Sequence, residues 1–151
     1  MRRLQQIDLY TDGACPGNGK GPCRTMGIGI VARAGAWERE WSLSLGPGTN
    51  QKAELLAIRE ALLRIKDRSF ASVRVFTDSE YAIGCLVKGW KVKVNKELVD
   101  EVRALIAECG RFEMVKVPAH AGDPANERAD RLAVDAARKA SGTVEQGASS
   151  P

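Results

Sequence analysis

The hydrophobic periodicity of this chain changes character once, near residue 50, and that change restricts the folds open to it. Before it, apolar residues alternate with polar ones over residues 4–11, in "MGIGIVAR" (26–33) and in "WEREWSLSL" (37–45). Period two is the pattern of a strand with one buried face. Ala34 and Gly35 separate the last two runs, which is turn chemistry for a hairpin. The first three strands are therefore expected as an antiparallel meander. Beyond residue 50, helical spacing takes over and alternates with two further apolar runs. The spacing predicts helices over 51–66, 79–87, 96–109 and 124–140, and strands over 72–77 and 112–117. Thr49 or Asn50 can cap the first helix, with Glu54 in its first turn. Gly110 closes the third helix and Pro118 stops the last strand. Strands separated by helices return parallel through crossovers. The expectation is an α/β fold: a five-stranded mixed sheet, three strands antiparallel and then two parallel, flanked by helices.

The chain has 151 residues, a length that suits one domain with its own core. Residues 1–140 are read as that domain. The tail 141–151, "SGTVEQGASSP", lacks periodicity and is expected to be disordered. A net charge of +4 fits an acidic partner such as nucleic acid without selecting one. No signal peptide or membrane-length apolar run is present in the sequence, so the expectation is a cytoplasmic protein with no membrane partner. The cysteines, Cys15, Cys23, Cys85 and Cys109, form no C-x-x-C pair, and the one histidine, His120, is distant from all of them. Zinc is therefore disfavoured. Cys85 and Cys109 read as small core residues. Cys15 and Cys23 bracket a loop, and the sequence leaves open whether they pair.

The acids carry more information. In the first helix Ala57, Ile58, Ala61, Leu62 and Ile65 recur at three- and four-residue spacing, and Glu54 heads that stripe. In the last helix Ala133, Val134 and Ala137 share a face headed by Asp130. A carboxylate on a packing face is expensive unless something cationic meets it. Asp12 and Asp78 each follow a threonine at the end of a strand, and sites in open sheets form beyond the carboxyl ends of strands where the winding reverses. Taken singly, each acid has a plain structural role: Asp12 in a turn, Asp78 with Ser79 at a helix cap, Glu54 at a helix dipole, Asp130 with Arg128 or Arg131. Taken together, four acids converging on one edge would repel one another without a divalent cation. All-oxygen ligation suits Mg²⁺, with Mn²⁺ as a substitute.

"YTDGACPGNG", "TNQKAELLAIREAL", "VFTDSEYAI" and "VPAHAGDPANERADRLA" resemble, in order, the four signature blocks of type 1 ribonuclease H, and they span nearly the whole chain. The resemblance implies a ribonuclease H-like fold and endonucleolytic hydrolysis of the RNA strand of RNA–DNA hybrids. It implies two metal ions held by Asp12, Glu54, Asp78 and Asp130, and products with 5′-phosphate and 3′-hydroxyl ends. It gives His120 an assisting role in proton transfer or product release. It puts Asn18, Asn50 and Gln51 at the 2′-hydroxyls of the RNA strand, and Thr49 and Asn95 in part of a phosphate pocket for the DNA strand. Amides suit a 2′-hydroxyl, which both donates and accepts.

The chain also departs from that pattern. Many relatives carry an additional basic helix, and residues 79–95 are too short to hold it. In its place "KGWKVKVNK" sets Lys88, Lys91, Lys93 and Lys96 around Trp90, which we read as a reduced hybrid-binding surface. Pro47 stands where relatives have an arginine, so the phosphate pocket is weaker or completed by another residue. The short lead into the first strand leaves no room for the separate hybrid-binding domain of some relatives, so affinity is expected to come from this domain alone unless a partner supplies more; a monomer is expected. A catalytically silent binding module and a related nuclease such as a junction resolvase are the rival readings. The complete set of four acids with His120 argues against the first, and the three amides against the second.

Overall fold

The computed structural model describes residues 3–17, 23–118, 122–139 and 145–147. β1 (Gln5–Ala14), β2 (Met26–Ala34) and β3 (Trp37–Leu45) form the antiparallel meander. α1 (Asn50–Leu63) then crosses to β4 (Ala71–Thr77), which lies parallel to β1. α2 (Glu80–Val87) and α3 (Lys96–Ala107) lead to β5 (Arg111–Lys116), parallel to β4, and α4 (Pro124–Ala137) follows. The five-stranded order β3-β2-β1-β4-β5 is the mixed sheet expected from the change in periodicity. A short β6 (Glu145–Gly147), drawn from the tail, pairs antiparallel with β3 and extends the edge. Among the described residues, no helix is long and apolar enough to cross a membrane.

The local chemistry explains where elements begin. Thr49 caps α1, its hydroxyl accepting the Lys52 N–H at 3.1 Å. The helix starts one residue earlier than expected, so Glu54 falls in its second turn rather than its first. Ser79 caps α2 by accepting the Ala82 N–H, which leaves Asp78 out of the capping role. Asp123 caps α4 ahead of Pro124, accepting the N–H groups of Ala125 and Asn126. A side-chain oxygen at each of these positions satisfies donors that the first helical turn cannot.

Helices cover both faces of the sheet. On one face Ile7, Leu9, Val73 and Val75 pack beneath Leu55, Ile58, Ala61 and Leu62 of α1, with Val99 and Val102 of α3 beside them. On the other face α4 lies across β1, β2 and β3, and its buried stripe is Ala125, Ala129, Leu132, Ala133, Ala136 and Ala137. Val134, expected in that stripe, is only half-buried. α4 comes close because β2 presents Gly27 and Gly29 beneath it: a Cβ at Gly29 would run into the Ala129 carbonyl. Ser42 and Ser44 of β3 donate to the Leu132 and Ala136 carbonyls at 2.7 and 2.6 Å, so the contact is hydrogen-bonded as well as close. Gly29→Ala is expected to push α4 outward and cost about 1–3 kcal/mol. The midpoint of urea unfolding checks this, and an unchanged midpoint would contradict the close packing.

β1 runs longer than its alternating pattern suggests. The alternation covers residues 4–11 and places Asp12 at the strand's end, but the strand continues to Ala14, with Asp12 opposite Gly29 and Gly13 opposite Ile28. The physical reason is that β2 offers pairing partners as far as Gly27, and that pairing outweighs the turn propensity of Asp-Gly. Cys15, just past the strand, is joined to Cys23 by a disulfide with a Cα–Cα distance of 5.6 Å. Cys85 is free and buried, and Cys109 is free and half-buried.

Candidate metal centre at the sheet edge

Four elements deliver the acids. Asp12 projects from β1 and is buried, 6% exposed. Asp78 directly follows β4. Tyr10 pairs with Phe76 in the parallel β1–β4 ladder, so Asp12 and Asp78 each lie two residues beyond that pair, on adjacent strands. Glu54 comes from the second turn of α1 and reaches the end of β1, where its Oε1 accepts the Gly13 N–H at 2.8 Å. That contact needs a residue without a Cβ, because one at Gly13 would collide with the backbone of Ala53 and Glu54. Carboxylate oxygens of Asp12, Glu54 and Asp78 all lie within 4.8 Å of one another. Asp130 of α4 joins them through a side-chain hydrogen bond with Asp12.

This crowding shows in the proton affinities of the protein without metal. Burial, then the Glu54 charge, the hydrogen bond with Asp130 and the Asp78 charge push Asp12 up to about 10. Burial and the Asp78 charge push Glu54 up to about 8, against the opposing pull of the Gly13 N–H and of a hydrogen bond with Asp12. Burial and neighbouring acids are the largest influences raising both carboxyls. Arg128, one candidate partner for Asp130, is instead in a two-pronged ion pair with Glu40, at 2.9 and 2.8 Å. The donor set consists of oxygens alone, and three of them converge, so the residues present fit a hard divalent cation.

The sign of the resulting pH dependence can be worked out. An unfolded carboxyl titrates near 4, whereas Asp12 and Glu54 in the fold hold their protons to about 10 and about 8. Between those limits the folded state binds more protons than the unfolded one, so stability falls as pH rises. A divalent ion held by these carboxylates would take the place of those protons and relieve the repulsion. The melting temperature without metal is expected to drop from pH 5 to pH 9, and the increase produced by Mg²⁺ to be larger at pH 9 than at pH 6. Thermal unfolding with and without Mg²⁺ at both values checks this. An equal increase at the two values would contradict it.

The residues expected to contact substrate come from the starts of α1 and α3 and from the segment between α2 and α3. Thr49 caps α1, and Asn50 and Gln51 are exposed at its start. Asn95 caps α3 in a left-handed conformation, φ 62°, and its Nδ2 donates to the Tyr81 hydroxyl at 3.2 Å. Trp90 is 46% exposed and lies over Gly84 of α2, and Lys91 beside it is exposed. Lys96 is in an ion pair with Asp100. Asn18 and His120 lie outside the described residues. A cavity of about 490 Å³, lined in part by Ile7, Trp37, Trp41 and Phe70, opens at the opposite end of β1. None of the four acids lines that cavity. Sequence reasoning missed the Gly13 N–H as the group that orients Glu54; the glycine following Asp12 was the available signal.

Fold and site together define a class: a mixed α/β domain with an acidic cluster, suited to divalent metal, at the carboxyl ends of its central parallel strands. Residues 4–138 match the RNase H family. The chain is 41% identical to ribonuclease H of Saccharopolyspora erythraea, covering 84% of this chain and 87% of that protein. It is 40% identical to ribonuclease H of Paracidovorax citrulli, covering 92% and 99%. Among solved structures, RNase H1 of Halobacterium salinarum superposes with a TM-score of 0.72 at 27% identity, covering 87% of this chain and 96% of that one. The chain belongs to the RNase H family.

Proposed function

We propose that this chain is an endonuclease that hydrolyses the RNA strand of RNA–DNA hybrids, leaving 5′-phosphate and 3′-hydroxyl ends. The observation that carries this reading is the convergence of carboxylate oxygens from Asp12, Glu54 and Asp78 within 4.8 Å, with Asp130 hydrogen-bonded to Asp12. Membership of the RNase H family supports it. These four acids would hold two Mg²⁺ ions, with Mn²⁺ as a substitute. Two such ions, when bound, activate an attacking water and stabilise the leaving 3′-oxygen in line.

The chain's own residues do the rest. Asp12 and Glu54 would hold the ions as carboxylates, giving up the protons they carry in the metal-free fold. The Gly13 N–H holds Glu54 in place during that exchange. Asn18, Asn50 and Gln51 read 2′-hydroxyls and thereby select the RNA strand. Thr49 and Asn95 hold a DNA-strand phosphate, and Trp90 with Lys91 extends the grip along the duplex. His120 moves a proton or helps release product. We place the protein in the cytoplasm as a monomer.

A labelled RNA–DNA hybrid, incubated with Mg²⁺ alongside RNA–RNA and DNA–DNA duplexes, tests the reading. Cleavage confined to the RNA of the hybrid is expected, and it should stop on chelation. Binding without cleavage at any metal concentration would leave only a binding module. Equal cleavage of DNA–DNA would point to a different nuclease. His120→Ala is expected to slow turnover at saturating hybrid by about 10²-fold without abolishing it. Complete loss in a folded variant would contradict an assisting role.

A further inference from the structure

The Cys15–Cys23 disulfide takes no part in the chemistry above, yet it sits between the two elements that carry it. Cys15 follows Asp12 by three residues. At the other end, the Cys23 N–H donates to the Gly48 carbonyl at 2.7 Å, and the Gly48 N–H donates to the Cys23 carbonyl at 3.1 Å. Cys15 Sγ itself lies 3.4 Å from the same Gly48 carbonyl. Gly48 directly precedes Thr49, the cap of α1, and the exposed Asn50 and Gln51. The disulfide thus links the end of the Asp12 strand to the entrance of the Glu54 helix through one isolated bridge.

We propose that this bond is a redox-sensitive latch that sets the Thr49–Gln51 segment relative to the acid cluster and so tunes affinity for the hybrid. The inference rests on the reading of that segment as a hybrid contact. With the bond intact, Gly48 is held against a residue covalently fixed to the end of β1. With it broken, the segment before Thr49 keeps the two Cys23–Gly48 backbone hydrogen bonds and the bond from the Met26 N–H to the Gly46 carbonyl, and loses its covalent tie to the end of β1. The acids themselves do not depend on it. Asp12 lies within the β1–β2 ladder, and Glu54 is fixed by the Gly13 N–H and by the buried neighbours Ala53 and Leu55. Reduction therefore loosens substrate grip and leaves the reaction centre in place.

The chemistry is thiol–disulfide exchange with a dithiol. Its thiolate attacks the sulfur of half-buried Cys23, and the Cys15 sulfur leaves and takes a proton. The second thiol of the reagent then displaces Cys23 from the mixed disulfide. Two electrons and two protons pass to the protein, and the reagent ends as its own disulfide. In a reducing compartment such bonds are typically transient or redox-sensing, which suits a latch better than a permanent staple.

The test uses the full chain. Thiol titration of the denatured protein should find two thiols, Cys85 and Cys109, before dithiothreitol and four after it. Dithiothreitol is expected to raise KM for a labelled hybrid roughly three- to tenfold, the effect of losing one or two ordered contacts, with kcat changed less than about twofold. The double variant C15A/C23A should show the raised KM in both conditions and no response to the reagent. If that variant does not fold, the response of the unaltered chain decides alone. Four thiols before reduction would overturn the proposal. So would a lowered melting temperature with unchanged KM, the signature of a purely structural bond. If neither state cleaves the hybrid, fluorescence anisotropy reads binding directly. Weaker binding after reduction then supports the latch while the hydrolase reading falls, and unchanged or absent binding overturns the latch.

Discussion

Asp12→Asn is expected to lower hybrid hydrolysis by a factor on the order of 10³ or more, because it removes a negative ligand from the centre that stabilises the developing charge. The same change is expected to raise the melting temperature of the protein without metal. Asp12 is buried among acids, and in the fold it binds its proton far more tightly than a carboxyl in water does. Its ionisation therefore opposes folding at neutral and higher pH, and a neutral amide of the same shape removes that opposition. Hybrid binding should remain within a few-fold, since the surface around Asn50, Gln51 and Trp90 is untouched. The combination is diagnostic: activity lost, stability gained, binding kept. A variant that turned over normally would remove Asp12 from the metal site. One that lost activity by unfolding would contradict the electrostatic account.

The triple change of Lys88, Lys91 and Lys93 to alanine should act in the opposite sense, on binding and not on chemistry. Each lysine that neutralises a phosphate contributes close to one unit to the slope of log affinity against log salt, so the slope should become shallower by about 2–3 units. At about 0.1 M salt the affinity for hybrid should fall about 10- to 100-fold, while kcat at saturating hybrid stays near that of the unaltered chain. Measuring hybrid binding by anisotropy across a salt series checks both numbers. An unchanged slope would mean that these lysines are a solvated surface and that the chain grips its substrate elsewhere.

The sheet was legible because its signal is distributed. Ile7, Leu9, Ile28, Ile30, Val73 and Val75 are all buried, and each belongs to an alternating run in which no single position decides the outcome. The acids were legible for a different reason: Glu54 heads an otherwise apolar stripe, and Asp12 and Asp78 interrupt strands at matching ends. Local rules of this kind do not reach across the fold. The extension of β1 to Ala14 depends on what β2 offers as a partner, and the close approach of α4 depends on Gly27 and Gly29 two elements away. The pairing of Cys15 with Cys23 requires their Cα atoms to come within 5.6 Å, an approach that no spacing along the chain encodes. The short β6 is a three-residue match to an edge, too brief for any periodicity to register.

The acid cluster as a divalent-metal site is the claim on which the rest depends, and diffraction from crystals soaked in Mn²⁺ tests it most directly. Anomalous density is expected among the carboxylates of Asp12, Glu54, Asp78 and Asp130, at oxygen distances of about 2.0–2.3 Å. Density found only at other acids, or none at this edge at a Mn²⁺ concentration that supports cleavage, would contradict the account.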